Sequence, residues 1–208
     1  MKFTAALMSL AGVASVASAA KSFTEMPNGM YTIPIVNGAL DLENAVRDPE
    51  EGFMHDIKHG SFDYNITESD TAPGLCVPQF PTRKTRCRAR TIRRADYVRA
   101  FAQYLNWVES GPDDGWIPRK SCKSLVYGLV VVSACSTGGP NPTCRDEVVE
   151  AMRELDVYCN EDAGGDIIIK KWKKIYNRHN IRDGDGLDGL LLASAEDDEE
   201  PETGIDAE

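Results

Sequence analysis

Residues 76–182 carry a hydrophobic pattern whose period changes from that of a strand to that of a helix and back. Residues 85–92 alternate, with arginines on one face and Cys87 on the inward face, which predicts a strand. Residues 95–109 place apolar side chains at helical spacing and stop before a Gly-Pro pair, which predicts a helix. Residues 124–133 are β-branched and almost continuously apolar, so we interpret them as one buried central strand.

A second helix and a last strand follow. Thr143 is a suitable N-cap for a helix whose apolar residues recur as far as Cys159. Residues 166–176 begin with three isoleucines after a Gly-Gly turn and predict a strand. The order strand, helix, strand, helix, strand predicts an α+β fold, a two-layer α/β sandwich with an antiparallel or mixed sheet and two helices on one face. Residues 20–75 or 111–121 would supply a fourth strand.

The first nineteen residues have the three parts of a secretory signal peptide. Lys2 provides the positive start, residues 5–16 form an apolar run, and Ala17-Ser18-Ala19 is a small-x-small cleavage site. The sequence therefore predicts a secreted, extracellular protein, and no later stretch is long and apolar enough to predict a membrane span. Asn65 begins a glycosylation sequon, which agrees with secretion.

The cysteines fit this destination. In an oxidising compartment an even number of cysteines predicts a disulfide framework, and six cysteines allow fifteen pairings. The spacings lack the close pairs of a zinc site, so we expect three disulfides, with a Cys135–Cys144 link suggested by proximity alone. The cysteines concerned are Cys76, Cys87, Cys122, Cys135, Cys144 and Cys159.

Charge and composition divide the mature chain into three parts. Residues 20–75 lack cysteine and are expected to be an arm, a pro-segment or an extra docked strand, with residues 30–36 as an edge strand because of their proline. Residues 76–182 form the disulfide-stabilised domain. Residues 183–208 contain eleven acidic residues and no basic one, against a net charge of −10 for the whole chain, and we expect this tail to be disordered.

Basic residues are concentrated in residues 83–99. Arg86, Arg88 and Arg90 fall on one face of the first predicted strand and are candidate anion-binding residues. Two other interpretations remain open, a solvated strand face and a surface that pairs with the acidic tail. Nucleic acid is not an expected partner, because no aromatic residue is interleaved with Arg86, Arg88 and Arg90 for base stacking.

The sequence contains no recognisable catalytic motif. His55 and His59 have the spacing of a metalloprotease zinc motif, but Asp56 replaces the general base, and the third ligand would have to be His179 or a distant acid. We therefore predict no catalytic residues, no metal and no cofactor, and favour a protein without enzymatic activity. A secreted hydrolase that uses His55, His59 or His179 is the alternative.

Three stretches carry a resemblance to a known class of proteins. Residues 26–31 (Met-Pro-Asn-Gly-Met-Tyr) look like the start of many mature fungal secreted proteins, and residues 165–178 look like their last strand. The arrangement of helices and cysteines over residues 95–159 is similar too. The chain thus resembles small secreted cysteine-rich fungal proteins related to killer toxins and necrosis-inducing effectors. The resemblance implies a disulfide-stapled α/β sandwich that acts by binding, although the acidic tail departs from the compact toxin pattern.

The resulting functional hypothesis is a secreted binding or effector protein that acts on a host or competitor. Its partner would be an extracellular protein of that organism or a cell-wall polymer. A cell-wall or matrix component that holds an anionic polymer through Arg86, Arg88 and Arg90 is a further alternative, and it predicts binding that weakens with salt.

Overall fold

The computed structural model describes residues 22–49, 79–111 and 113–183 of the 208-residue chain. Several predictions lie outside these residues. They concern the signal peptide at residues 1–19, His55, His59, the sequon at Asn65, Cys76 and the acidic tail from residue 184 onward.

The described residues form two α-helices, ten strands and two 3-10 turns. The helices are α1 (Arg94–Ser110) and α2 (Arg145–Cys159), and the 3-10 turns are Phe23–Glu25 and Lys170–Trp172. The strands are β1 (Gly29–Val36), β2 (Ala39–Leu40), β3 (Val46–Arg47), β4 (Lys84–Thr91), β5 (Trp116–Ile117), β6 (Ser121–Tyr127), β7 (Val130–Ser136), β8 (Asn141–Pro142), β9 (Ala163–Ile169) and β10 (Lys174–Asn180).

One antiparallel sheet organises the protein. Its strand order is β2-β1-β6-β7-β10-β9-β4, β3 also pairs with β1, and β5 and β8 form a separate two-stranded ribbon. All the pairings are antiparallel. The α+β class and the antiparallel sheet confirm the sequence prediction. The two-layer sandwich is corrected, because the sheet is strongly curled into a half-barrel and does not form a clear second layer.

Both faces of this sheet are buried, which explains why the central strands are continuously apolar. On one face, Val132 and Ile167 pack with both helices around Trp107. On the other face, Val131 and Ile175 pack against the N-terminal segment that carries Phe23. Successive strand residues point to opposite faces, so a strand covered on both sides loses the polar-apolar alternation.

The single strand predicted over residues 124–133 is wrong, because β6 and β7 form a hairpin there. Gly128 turns the chain with φ +56°, a conformation that glycine adopts at little steric cost. The turn is held by tertiary contacts: the Leu129 amide donates to Asp96 Oδ2 at 3.1 Å, and the Gly128 amide donates to Asn28 Oδ1 at 2.9 Å. The last predicted strand, residues 166–176, is likewise divided between β9 and β10.

The prediction of an edge strand at residues 30–36 is also wrong, since β1 lies between β6 and two short strands. Pro34 has no paired residue on the outer side, because β2 pairs only with Ile35 and Val36 and β3 pairs only with Tyr31 and Thr32. Its carbonyl accepts the Asp41 amide at 2.8 Å. The proline is therefore accommodated at the gap in strand pairing between β2 and β3 on the outer side of β1.

Two described disulfides brace this architecture. Cys87–Cys159 joins β4 to α2, and Cys122–Cys135 joins neighbouring residues of β6 and β7. The suggested Cys135–Cys144 link is wrong, because Cys135 sits directly opposite Cys122 in the hairpin. Cys144 is disulfide-bonded as well.

Candidate anion-binding site

A cleft of about 920 Å³ opens at one end of the sheet, where four chain connections meet. They are the β1–β2 turn, the residues that precede β6, the Gly-Gly-Pro loop that follows β7, and the β9–β10 connection. The strands are antiparallel, so connections that are distant in sequence end at the same edge of the sheet. The lining includes Asn37, Gly38, Arg119, Lys120, Thr137, Gly138, Gly139, Pro140, Lys170, Lys171, Lys173 and Lys174.

The charge of this lining is of one sign. Among the described residues that line the cleft, six are lysine or arginine and none is aspartate or glutamate. A cleft lined by one sign of charge focuses the electrostatic potential and concentrates ions of the opposite sign. The basic residues are Arg119, Lys120, Lys170, Lys171, Lys173 and Lys174.

Lys174 differs from the other basic residues of the lining because it is buried. Lys174 is only 2 % exposed, and its Nζ donates to Glu147 Oε2 at 2.7 Å and also to the Pro142 carbonyl. Burial lowers the pKa of Lys174, and the neighbouring Glu147 opposes that effect. The other five basic side chains are exposed and contribute positive charge at the surface of the cleft.

Backbone hydrogen bonds fix the connections that carry these side chains. The Lys120 amide donates to the Gly138 carbonyl at 3.1 Å, while its carbonyl accepts the Ile35 amide at 2.8 Å. The Thr137 amide donates to the Lys173 carbonyl at 2.8 Å. Four connections are thus tied to one another, which holds the basic residues in place before any ligand binds.

Two of the lysines occupy an uncommon backbone conformation. Lys120 has φ +46° and Lys173 has φ +51°, in the left-handed region that costs a side-chain-bearing residue on the order of 1–2 kcal/mol. Each lies at a tight connection that leads into a strand of the sheet. Strained backbone conformations of this kind persist only where contacts with the surrounding structure stabilise them, and they are frequent at binding sites.

The Gly-Gly-Pro loop that follows β7 leaves part of the cleft wall open. No atom lies within 4 Å of the position that a Cβ on Gly139 would occupy. The loop is nevertheless anchored, because Ser136 Oγ donates to the Gly139 carbonyl at 2.5 Å. A ligand can therefore approach the backbone closely at this point.

The arginines that the sequence singled out lie on β4 and mostly contact acidic partners. Arg88 donates to Asp166 Oδ1 at 2.6 Å, and Arg90 Nε lies 3.2 Å from Asp183 Oδ1. Arg86 is exposed and stands opposite Asp166 in the sheet register. Burial raises the pKa of Asp166, although the nearby Arg88 opposes that shift. Anion binding through these three arginines remains a prediction.

Of the three histidines, His179 lies among the described residues, and it is 1 % exposed. Its Nδ1 lies 3.1 Å from Asn177 Oδ1, and its ring packs edge-on against Phe23 with centroids 5.3 Å apart. Burial lowers the pKa of His179 well below its ordinary value, and Arg88 adds to the effect. The ring is therefore neutral and closed off from solvent.

Sequence reasoning missed the basic cleft, although one signal was visible. Residues 170–174 contain four lysines in five positions, a higher density of basic residues than in residues 83–99, although over a shorter stretch. Their isoleucine-rich neighbours led us to interpret the whole segment as a strand. Arg119 and Lys120 form only a short basic pair, and nothing in the sequence connects them to residues 170–174.

No known protein family, curated protein or solved structure matches this chain. The resemblance to killer-toxin-like and effector proteins therefore stays a prediction. In the described ranges, no helix is long and apolar enough to cross a membrane, and no group of three or more His, Cys, Asp or Glu side chains is arranged to hold a metal ion.

Proposed function

We propose that this protein is secreted and binds an anionic polymer, such as an acidic cell-wall polysaccharide, in the basic cleft. The observation that carries the proposal is the set of five exposed basic side chains around one cleft, where no acidic residue of the described ranges contributes to the lining. A polymer with a charge on every repeating unit contacts several of these side chains at once. Binding to such a site is driven by charge and is sensitive to salt.

The signal-peptide pattern at residues 1–19 and the disulfides support an extracellular place of action. The polymer would then belong to a cell wall or to the surface of a host or competitor cell. The sequence resemblance to killer-toxin-like and necrosis-inducing proteins favours the same kind of target, with recognition rather than turnover as the activity.

The structure favours binding over the hydrolase alternative at the one histidine it describes. His179 is buried beneath Phe23 on the sheet face opposite the helices. A general acid or base must reach the proton that it transfers. His179 is therefore in no position to act on an external substrate in this conformation.

The first prediction concerns three cleft residues on two different connections. We expect the combined substitution Arg119→Gln, Lys120→Gln and Lys171→Gln to weaken binding of a fluorescent polyanion, with polyphosphate and polygalacturonate as the two probes. Each exposed basic residue near an anionic surface contributes about 1 kcal/mol, so the loss is roughly 100-fold in Kd. Fluorescence anisotropy at about 50 mM and about 500 mM salt measures both the loss and its screening.

A matched control separates the cleft from net charge. Arg93, Arg99 and Arg153 are exposed and lie outside the cleft lining, so their combined change to glutamine removes the same charge elsewhere. We expect this control to alter Kd by less than about threefold at the lower salt concentration. Equal losses in the two triple variants, or binding that is unaffected by salt, would refute a polymer site in the cleft.

A further inference from the structure

The strongest charge complementarity to the cleft is found within the chain itself. Residues 184–208 contain ten acidic residues and no basic one. Six of those acids are concentrated in residues 196–202, where only one position is uncharged. This acidic run presents closely spaced negative charges, which is the property that we propose the cleft recognises.

The described chain ends at a point from which basic residues lead to the cleft. Asp183 contacts Arg90, and the Asn180 amide donates to Asp183 Oδ2 at 3.3 Å. Between Arg90 and the start of β4, Arg86 and Lys84 are also exposed, whereas Arg88 is largely buried and paired with Asp166. Lys84 is paired opposite Ile168, which lines the cleft. Exposed basic residues of β4 therefore lie between the point where Asp183 contacts Arg90 and the cleft.

The length of the connecting segment suits this distance. Lys84 and Arg90 are six residues apart, which corresponds to about 20 Å along a strand. The acidic run begins thirteen residues after Asp183, and a chain of that length reaches at most about 45 Å when fully extended. The tether of the run is therefore long enough to reach the cleft, and tethering raises the effective concentration of a ligand at a site within its reach.

We propose that the acidic run at residues 196–202 docks in the basic cleft of its own chain and competes with external anionic polymer. This regulation rests on the proposed function, because it assigns an internal competitor to the same site. External polymer gains access when salt, cleavage of the tail or a polymer of higher charge density displaces the run.

Two full-length variants test the docking. The first neutralises the acidic run through Glu196→Gln, Asp197→Asn, Asp198→Asn, Glu199→Gln, Glu200→Gln and Glu202→Gln. The second deletes residues 186–195, which keeps the run but shortens its tether to three residues, about 10 Å when extended. The measurements are the amide chemical shifts of isotope-labelled protein at low salt and the Kd for polyphosphate.

Docking predicts that the amide signals of Lys120 and Gly139 differ between the unmodified chain and both variants, and that the difference disappears at about 1 M salt. It also predicts at least tenfold tighter polyphosphate binding in both variants. Unchanged signals at these two residues overturn the proposal. The proposal is also overturned if the short-tether variant binds polyphosphate as weakly as the unmodified chain does. In that case the negative charge of the tail repels polyphosphate without docking, and this repulsion accounts for the weak binding.

The same data separate this proposal from the proposed function. If the neutralised variant does not bind polyphosphate or polygalacturonate but the cleft signals shift, polymer binding fails and docking stands. If the neutralised variant binds polymer through Arg119, Lys120 and Lys171 with the same Kd as the unmodified chain, and the cleft signals do not shift, docking fails and the proposed function stands.

Discussion

His179 illustrates how a single side chain links burial to pH dependence. Its imidazole is enclosed by Phe23 on one side, while Asn177 faces Nδ1 and Arg88 adds a positive charge nearby. Burial and Arg88 both disfavour the protonated form, so the pKa of His179 lies well below 6.5 in the folded protein. In the unfolded chain the same ring titrates near its ordinary value.

This difference predicts a loss of stability in mild acid. Below about pH 6.5 the unfolded chain binds a proton that folded His179 does not, so the free energy of unfolding falls as the pH falls, by up to about 1.4 kcal/mol per unit. Urea denaturation at several pH values between about 7 and 5 measures the slope. We expect His179→Gln to reduce this slope, whatever its effect on stability at pH 7.

Asp166 has the opposite effect on the free energy of unfolding. Its pKa is raised in the folded protein, so as the pH falls the folded state binds this proton before the unfolded chain does, which favours folding. The comparison of slopes between the unmodified protein and His179→Gln removes this contribution, since Asp166 is present in both. Parallel slopes in the two proteins would show that His179 is not the group responsible.

At the level of elements, the β6–β7 hairpin depends on one residue that the sequence pattern did not reveal as a turn. Gly128 combines a positive φ with close contact to Asp96, since a Cβ at this position would lie 2.5 Å from Asp96 Oδ2. Asp96 in turn accepts the Leu129 amide. Helix α1 and the hairpin are thereby joined at the turn.

Two glycine-to-alanine substitutions provide a matched pair of predictions. Gly128→Ala should lower the free energy of unfolding by at least about 1–2 kcal/mol, because alanine must adopt a positive φ and displace the Asp96 carboxylate. Gly139→Ala should change it by no more than about 1 kcal/mol, and in the stabilising direction, because nothing lies within 4 Å of its Cβ position. Chemical denaturation measures both, and equal effects would contradict this account of the turn.

The same elements show what the sequence could predict. Helix α1 was expected at residues 95–109 and spans Arg94–Ser110, because a long amphipathic stripe is a strong periodic signal. The hairpin was missed because residues on both of its strands are buried on both faces, so no polar residue marks the turn. A single glycine between Tyr127 and Leu129 was too weak a signal to divide an apolar run.

At the level of the whole molecule, the cleft is a product of topology. Arg119 and Lys120 precede β6, and Lys170–Lys173 connect β9 to β10, yet the strand order places these connections at one end of the sheet. No local pattern encodes that proximity, which depends on β7 and β10 pairing across a long separation in sequence. The basic residues 83–99 were conspicuous in the sequence, but Arg88 and Arg90 contact acidic partners.

The most direct test of the account is to locate bound polymer on the protein. Polyphosphate is titrated into the full-length variant with the neutralised acidic run, and amide chemical shifts report which residues respond. We predict that the largest changes fall on Lys120, Gly139 and Lys171 and that about 1 M salt abolishes them. Changes centred on Arg86, Arg88 and Arg90 instead, or no saturable change at all, would contradict the assignment of the cleft as the anion-binding site.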